Sequence, residues 1–319
     1  MKIARRAVVA GLSLAALSCA RRDDERPLAF GYCPTLLQAQ PLVGATSGRW
    51  QRALDGATAT PFLAGPAVME ALRAGAIDAG FLGASAVLGT FTRRGGVVVL
   101  SGASSGGASL VARAGLAVTR PSDVAGRAVS ASQIGSMPDV ALRAWLLSGG
   151  VVTRERGGDT LVAPLAQSEA ARLLARGDLA AMWCQEPWPS RLVAAGATRA
   201  IDERDLWEGR RYPAVLLVTT PRALARRGRS LERLVALLGD ETAALSASPD
   251  GGRAAAGRAL SAALGQALPE AVLADAWSRV DLSLDPQPRA LEALRVRMRA
   301  LGYLPDGSLD GLVHPGLAA

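Results

Sequence analysis

Along most of the chain, short apolar runs alternate with segments whose apolar residues recur every three or four positions. An unbroken apolar run suits a buried strand, and a spacing of three to four puts residues on one face of a helix. Leu28-Ala29-Phe30-Gly31-Tyr32 and Thr58 to Leu63 are predicted strands. Gly65-Pro66 opens a helix with the stripe Val68, Ala71 and Leu72, its proline in the favoured first turn. Gly75 stops that helix, Ile77 to Leu82 is the next strand, and Val97 to Leu100 and Leu110 to Arg113 follow as strands. The alternation restarts near Asp123. Ala128 to Ser132 is a strand, and Ser136-Met137-Pro138-Asp139 has the Ser-x-x-Asp form of a capped helix start, with Val140, Ala144 and Leu147 as the buried face. Thr160 to Ala163 is a strand, Glu169 to Arg176 a helix and Leu179 to Cys184 a strand. Behind Pro213, the apolar run Ala214 to Val218 suits a parallel strand buried on both faces. From there the pattern is mostly helical, through 231–238, 252–264, 270–280 and 288–301.

Two of these stretches share one plan. Ala71-Leu72-Arg73-Ala74-Gly75-Ala76-Ile77-Asp78-Ala79 can be laid over Leu173-Leu174-Ala175-Arg176-Gly177-Asp178-Leu179-Ala180-Ala181. Each ends a helix at glycine, enters a strand two residues later and is preceded by another strand. This predicts an α/β protein of two lobes, each a mostly parallel sheet flanked by helices. The chain is expected to leave lobe 1 near Val118 and return near Pro213. Residues 28–118 and 213–319 then make lobe 1, with the C-terminal helices packed on it, and 119–212 make lobe 2. Two crossings make a hinge and leave a cleft between the lobes.

The opening stretch reads as an address. Lys2, Arg5 and Arg6 precede the apolar run Ala7 to Leu17, and Ser18 and Cys19 follow, the order of a secretory signal over residues 1–18. The run is shorter than the ~20 apolar residues of a spanning helix, and no later segment reaches that length. Ala16-Leu17-Ser18-Cys19 resembles a lipobox, with alanine where leucine is usual, which makes Cys19 the expected lipidated residue and 19–27 a tether. The alternatives are ordinary cleavage nearby with Cys19 removed, and a twin-arginine route through Arg5-Arg6. The expected location is the periplasm or cell surface, with a lipid anchor as the only tie to the membrane.

Composition narrows the function classes. The net charge is +8, and +5 without Lys2, Arg5 and Arg6. That is a mild field that attracts anions. No basic run is interleaved with aromatics, so nucleic acid is not an expected partner. The sole histidine is His314, near the carboxyl end. No Cys/His cluster for a metal and no Ser/His/Asp set emerges, so neither a cofactor, a metal nor catalysis is expected. Beyond Cys19 the cysteines are Cys33 and Cys184, whose pairing is permitted by the compartment but implied by no spacing.

Gln185-Glu186-Pro187-Trp188-Pro189-Ser190-Arg191-Leu192-Val193, continuing to Asp202-Glu203-Arg204-Asp205-Leu206-Trp207, forms one long motif. Glu70 to Gly83 carries a second, Glu-Ala-Leu-x-x-Gly-x-Ile-Asp-x-Gly. On these residues the chain resembles the substrate-binding proteins of nitrate, taurine and aliphatic-sulfonate ABC importers, from about Leu28 to Gly316. The resemblance implies a type II periplasmic-binding fold, no catalysis, a small anion held between the lobes, and an importer permease as partner. A monomer is the default. The family often has glutamine where Cys33 stands, so ligand identity stays open.

The chemistry of an anion pocket selects candidates. A buried anion loses several kcal/mol of hydration unless donors replace it, and helix N-termini supply free N–H groups at a positive dipole end. Small residues at strand-to-helix turns let backbone approach a ligand: Gly83-Ala84-Ser85, Gly135-Ser136, and Ser104-Ser105 between two strands. Tyr32, Cys33 and Thr35 end the first strand and belong at the cleft mouth. Glu186 and Trp188 complete the candidate ligand set. Glu186 suits a helix start, an interlobe contact or the amine of a zwitterion, and Trp188 a ligand's organic tail or helix packing. Arg113, Arg143 and Arg191 are further charge partners. The preferred solute is an aliphatic sulfonate such as taurine, then nitrate or bicarbonate, then a thiamine-precursor pyrimidine. The rival classes are a solute-sensing partner of a receptor and a biosynthetic enzyme of the same fold.

Overall fold

The apolar runs form two sheets, and the computed structural model describes residues 26 to 316. The predicted signal peptide, Cys19 and most of the tether lie outside the described residues. Strand β1 (Ala29–Tyr32) leads through a short 3-10 turn into α1 (Ala39–Thr46) and α2 (Arg49–Ala53). There follow β2 (Thr58–Pro61), α3 (Gly65–Ala74), β3 (Ala79–Gly83), α4 (Ala84–Arg94) and β4 (Val98–Gly106). The next group is β5 (Ala108–Ala112), β6 (Ala128–Ala131), α5 (Met137–Ser148), β7 (Leu161–Pro164), α6 (Gln167–Arg176), β8 (Ala181–Gln185), α7 (Trp188–Ala194) and β9 (Thr198–Asp202). The chain ends with β10 (Pro213–Thr219), α8 (Pro221–Ala247), α9 (Pro249–Leu264), α10 (Glu270–Trp277), β11 (Val280–Leu282) and α11 (Pro288–Ala300).

One sheet has the order β11-β4-β10-β3-β1-β2 and the other β7-β6-β8-β5-β9. Five consecutive positions of the first sheet, β2-β1-β3-β10-β4, repeat the plan of the second. β1 lies parallel to β2 and β3 as β6 does to β7 and β8, and the fourth position is antiparallel in both. The resemblance of residues 71–79 to 173–181 is the local trace of this plan. Gly75 and Gly177 both end their helices with positive φ, at 75° and 84°, where a side chain would be strained.

Several expectations are corrected. β5 pairs with β8 and β9, so the chain leaves the first sheet at Gly106–Gly107 and not near Val118. The run Ala214 to Val218 is buried on both faces but antiparallel to β3 and β4. Burial on both faces demands a continuous apolar run whatever the strand direction, so the run could not report direction. Ser104 and Ser105 are inside β4 and not in a turn. Leu147 is exposed, because α5 turns Ala144 toward the first sheet's core.

The first sheet's core gathers Phe30, Trp50, Phe81, Leu216 and Leu234. The second sheet has a core on each face, because its strand residues alternate: Ala181 and Trp183 join one, Met182 and Cys184 the other. Helix α5 lies between the halves. Met137 and Val140 pack into the first sheet's core, and Ala141, Leu142, Trp145 and Leu146 into the second's. The first crossing, Gly106-Gly107, has φ of +76° at both residues, and a Cβ on Gly106 would lie 2.7 Å from the Arg279 carbonyl oxygen. The second runs from Glu203 to Tyr212, where the Trp207 ring stacks on Tyr212 at 5.2 Å and the Arg297 guanidinium lies 3.8 Å over Trp207. Among the described residues, no helix is long and apolar enough to cross a membrane.

Candidate functional site

Because β1, β2, β3 and β4 run in one direction and β6, β7 and β8 in another common direction, each sheet presents its strand carboxyl ends together. The two ends meet where α4 and α5 begin. A Cβ placed on Gly83 would be 3.8 Å from the Met137 Cγ and 3.8 Å from the Ala214 carbonyl oxygen. Gly83 therefore lies against Met137, the first residue of α5.

The two helix starts differ chemically. Gly83 caps α4 with no side-chain hydrogen bond, no acidic residue lies in the first turn, and Ala84 and Ser85 are buried there. In the register, Gly83 and Ser104 both flank Val215 of β10. The Ser104 hydroxyl is buried, at 2 % exposure for the residue, and has no hydrogen-bond partner among the described residues. A buried hydroxyl left unpaired costs free energy comparable to a lost hydrogen bond. Ser105 is engaged differently, its hydroxyl accepting the Tyr212 N–H at 3.1 Å.

At α5 the donors are already occupied. The Ser136 hydroxyl accepts the Asp139 N–H at 3.4 Å and lies 3.1 Å from the Ser132 hydroxyl. The buried Asp139 carboxylate accepts the Gly135 N–H at 2.8 Å, the Arg143 Nε–H at 2.7 Å and the Tyr303 hydroxyl at 2.6 Å. The motif that suggested a capped start is a cap, with the carboxylate directed at Gly135. The first turn of α5 thus carries a carboxylate, whereas that of α4 carries none. Arg143, considered as a charge partner for a ligand, is tied to Asp139 and Glu155.

At the carboxyl end of β1, Tyr32 is buried, Cys33 is half-buried, and Thr35 precedes the 3-10 turn. The Cys33 N–H donates to the Gln38 Oε1 at 2.7 Å, fixing this turn. Burial pushes the Cys33 thiol up to about 11, so it stays protonated at neutral pH. Cys184 is fully buried in the core under α7, its thiol raised well above the ordinary value first by desolvation and then by Glu186. Both cysteines are free.

Glu186 and Trp188 serve other ends. Trp188 packs on the core beneath α7 with the Arg191 guanidinium 5.4 Å over its ring. One Glu186 oxygen accepts the Ser190 N–H at 3.2 Å, and the other accepts the Arg199 guanidinium at 2.9 Å. Burial raises the Glu186 carboxyl, opposed by Arg199 and Ser190. Arg199 also binds the Ser109 hydroxyl at 2.8 Å and Asp275 of α10 at 2.6 Å. Arg279 continues the chain from Asp275 to Asp202, and Arg204 binds Asp202 at 2.8 Å. This clasp joins α7, β9 and the second crossing to α10 and β11. Sequence reasoning missed Arg199, Asp275, Arg279 and Tyr303, since arginines are everywhere in this chain and their partners lie up to 164 residues away. Among the described residues, no three His, Cys, Asp or Glu side chains are grouped so as to hold a metal ion.

Residues 21–260 match the NMT1-like family. No curated protein matches the sequence. Among solved structures, the chain is similar to the alkanesulfonate-binding protein SsuA from Xanthomonas axonopodis pv. citri bound to MOPS, with 20 % identity, 88 % of this chain and 94 % of that one covered, and a TM-score of 0.70. It is similar to the periplasmic nitrate-binding protein NrtA from Synechocystis PCC 6803, at 13 % identity, 91 % and 86 % coverage and a TM-score of 0.76. It is also similar to the desulfurization enzyme DSZB, at 19 % identity, 91 % and 97 % coverage and a TM-score of 0.62. These likenesses show the fold, the two-lobed periplasmic-binding architecture of type II.

Proposed function

The chain belongs to the NMT1-like family, and we propose that it is an extracytoplasmic solute-binding protein of an ABC importer that takes a small anion between its two halves. In this reading the first half comprises the six-stranded sheet and the helices after β10, and the second half the five-stranded sheet with α5, α6 and α7. The observation that carries it is the start of α4, a helix N-terminus with no side-chain cap and no acid in its first turn, one strand away from the buried Ser104 hydroxyl, which has no hydrogen-bond partner among the described residues. Backbone N–H groups of Ala84 and Ser85 and the Ser104 hydroxyl are the donors an oxyanion would use. Tyr32, Cys33 and Thr35 line the mouth, and Gly135 and Ser136 close over the ligand from α5. Glu186 acts through the clasp and not on solute. An aliphatic sulfonate such as taurine is the preferred solute, supported by the alkanesulfonate-binding relative of this fold, with nitrate or bicarbonate next. Cys19 anchors the exported protein as a lipoprotein, and it works as a monomer against a permease.

The fold also houses a desulfurization enzyme, so architecture alone does not separate binding from catalysis. The Cys33 thiol, held protonated at neutral pH, is a poor nucleophile, which favours binding. The test is a calorimetric panel of ethanesulfonate, taurine, nitrate and bicarbonate, with thermal stabilisation read in parallel on Ser136→Trp. At least one anion binds the wild type and raises its melting temperature, and Ser136→Trp abolishes the rise. Uptake of no anion, or an unchanged rise in Ser136→Trp, refutes the reading.

A further inference from the structure

Positive charge is concentrated at the end of the first sheet opposite the strand carboxyl ends. β10 runs antiparallel, and its last residue, Thr219, pairs with Ala79 and Val98, the first residues of β3 and β4. Helix α8 therefore starts at this end. α3 and α4 each follow a strand's carboxyl end and run back, finishing here with Arg73 and with Arg93 and Arg94. Arg26, the first described residue, also arrives here and donates to Asp78 at 2.6 Å. Between them is a cavity of about 160 Å³ whose walls include Asp78, Thr220, Arg222 and Arg226.

The arginines closing α3 and α4 complement the negative carboxyl ends of those helices. Those of α8 have no such explanation. Arg222 lies in its first turn, where a cation opposes the dipole, and that turn holds no acid. Arg222, Arg226, Arg229 and Arg233 then recur at i, i+4, i+7 and i+11, all exposed, although the helix is interrupted at Arg227. The acids nearby are few: exposed Glu232 lies three residues after Arg229, Asp55 binds Arg233, Glu70 lies beside Arg73, and Asp78 is buried. An exposed basic stripe whose first member, Arg222, opposes the helix dipole suits an outside anionic partner.

The chain's path says which partner. Cys19 lies seven residues before Arg26, and seven extended residues reach at most ~25 Å. A lipid on Cys19 thus keeps this face close to the bilayer. We propose that this face of α8, with Arg222 and Arg229 as principal contacts, rests on anionic phospholipid headgroups. Guanidinium forks match phosphate geometry, and basic residues beside an anionic bilayer are drawn to its surface potential. In this pose the strand carboxyl ends of the first sheet point away from the headgroups, which leaves the proposed solute site open to solution. The inference rests on the proposed export and on the lipid at Cys19, which make a membrane the partner.

The experiment measures partition of the protein from Cys19 onward, without its lipid, onto vesicles of phosphatidylcholine alone and of phosphatidylcholine with phosphatidylglycerol at about 30 %. Without the signal segment, Lys2, Arg5 and Arg6, which would themselves favour anionic lipid, make no contribution, so the difference between vesicles reports the basic face. The wild type binds the anionic vesicles on the order of tenfold more tightly at low salt, and about 0.5 M NaCl removes the difference. Arg222→Glu/Arg229→Glu removes it too, whereas Arg172→Glu/Arg176→Glu on α6, with the same change in net charge, keeps it. If the charge reversal does not fold, Arg222→Gln/Arg229→Gln makes the same comparison. Equal binding to both vesicles, a preference that persists without Arg222 and Arg229, or an equal loss in the α6 variant overturns the proposal. Solute-induced stabilisation on the same samples reports the solute reading separately.

Discussion

Glu203 offers the sharpest test of the electrostatics at the second crossing. Its carboxyl is fully buried, one oxygen accepting the Trp183 indole N–H at 2.8 Å and the other having no hydrogen-bond partner among the described residues. Burial raises its pKa to about 7, against smaller lowering by the indoles of Trp183 and Trp207 and by Arg297. In the unfolded chain the same group ionises near 4.5. The folded state thus holds the proton over the window from about pH 4.5 to 7 in which the unfolded state releases it. Stability is fully present below that window and falls as pH rises through it. At about 1.36 kcal/mol per pH unit, the loss is about 1.4 kcal/mol at pH 5.5 and about 3 kcal/mol at pH 8. Glu203→Gln keeps an acceptor for Trp183 but cannot ionise, so it escapes the loss. In urea unfolding, the stability of Glu203→Gln relative to wild type should rise by about 2 kcal/mol between pH 5.5 and 8, with unchanged dependence on urea. Glu186 is also raised by burial and tilts both proteins alike, so only the difference between them is diagnostic. Parallel profiles for the two proteins would refute a buried, neutral Glu203.

Two further substitutions test how the halves are joined. Arg199→Met leaves the buried Glu186 and its neighbour Asp275 without their shared cation and should destabilise the protein by about 3–5 kcal/mol in urea titration; a loss under about 1 kcal/mol would show that the clasp contributes little. Tyr303→Phe removes a 2.6 Å hydrogen bond to the buried Asp139 and should lower stability by about 1.5–3 kcal/mol, with Asp139→Ala/Tyr303→Phe no worse than Asp139→Ala alone; additive losses would break the assigned link.

The architecture was legible where local pattern and topology coincide. Gly75 and Gly177 marked equivalent helix ends because only glycine takes positive φ without strain, and the strands on either side followed. Strand direction was not legible in Ala214 to Val218. The boundary at Val118 failed because β5 begins two residues after β4 ends, across Gly106 and Gly107, whose role is conformational and leaves no hydrophobic signal. The serines at strand ends could be nominated from chemistry, but which hydroxyl is engaged is a tertiary fact. Ser105 meets Tyr212 from 107 residues away, while Ser104, one position earlier, meets no partner among the described residues.

The same tertiary facts change how a solute would act on the molecule. A ligand shifts an equilibrium only by its differential interaction with the two states. Parting the halves along α5 would uncover Met137 and Val140, each worth about 1.5–3 kcal/mol buried, and would break the Tyr303 bond to Asp139. A solute bound with micromolar affinity gains about 8 kcal/mol in all, of the same order as these contacts between protein groups. Closure then depends on α5 as much as on the anion. It also explains why a carboxylate can sit at the start of α5 in a protein proposed to bind anions: Asp139 ties the second half to Tyr303, while the start of α4 carries no acid in its first turn.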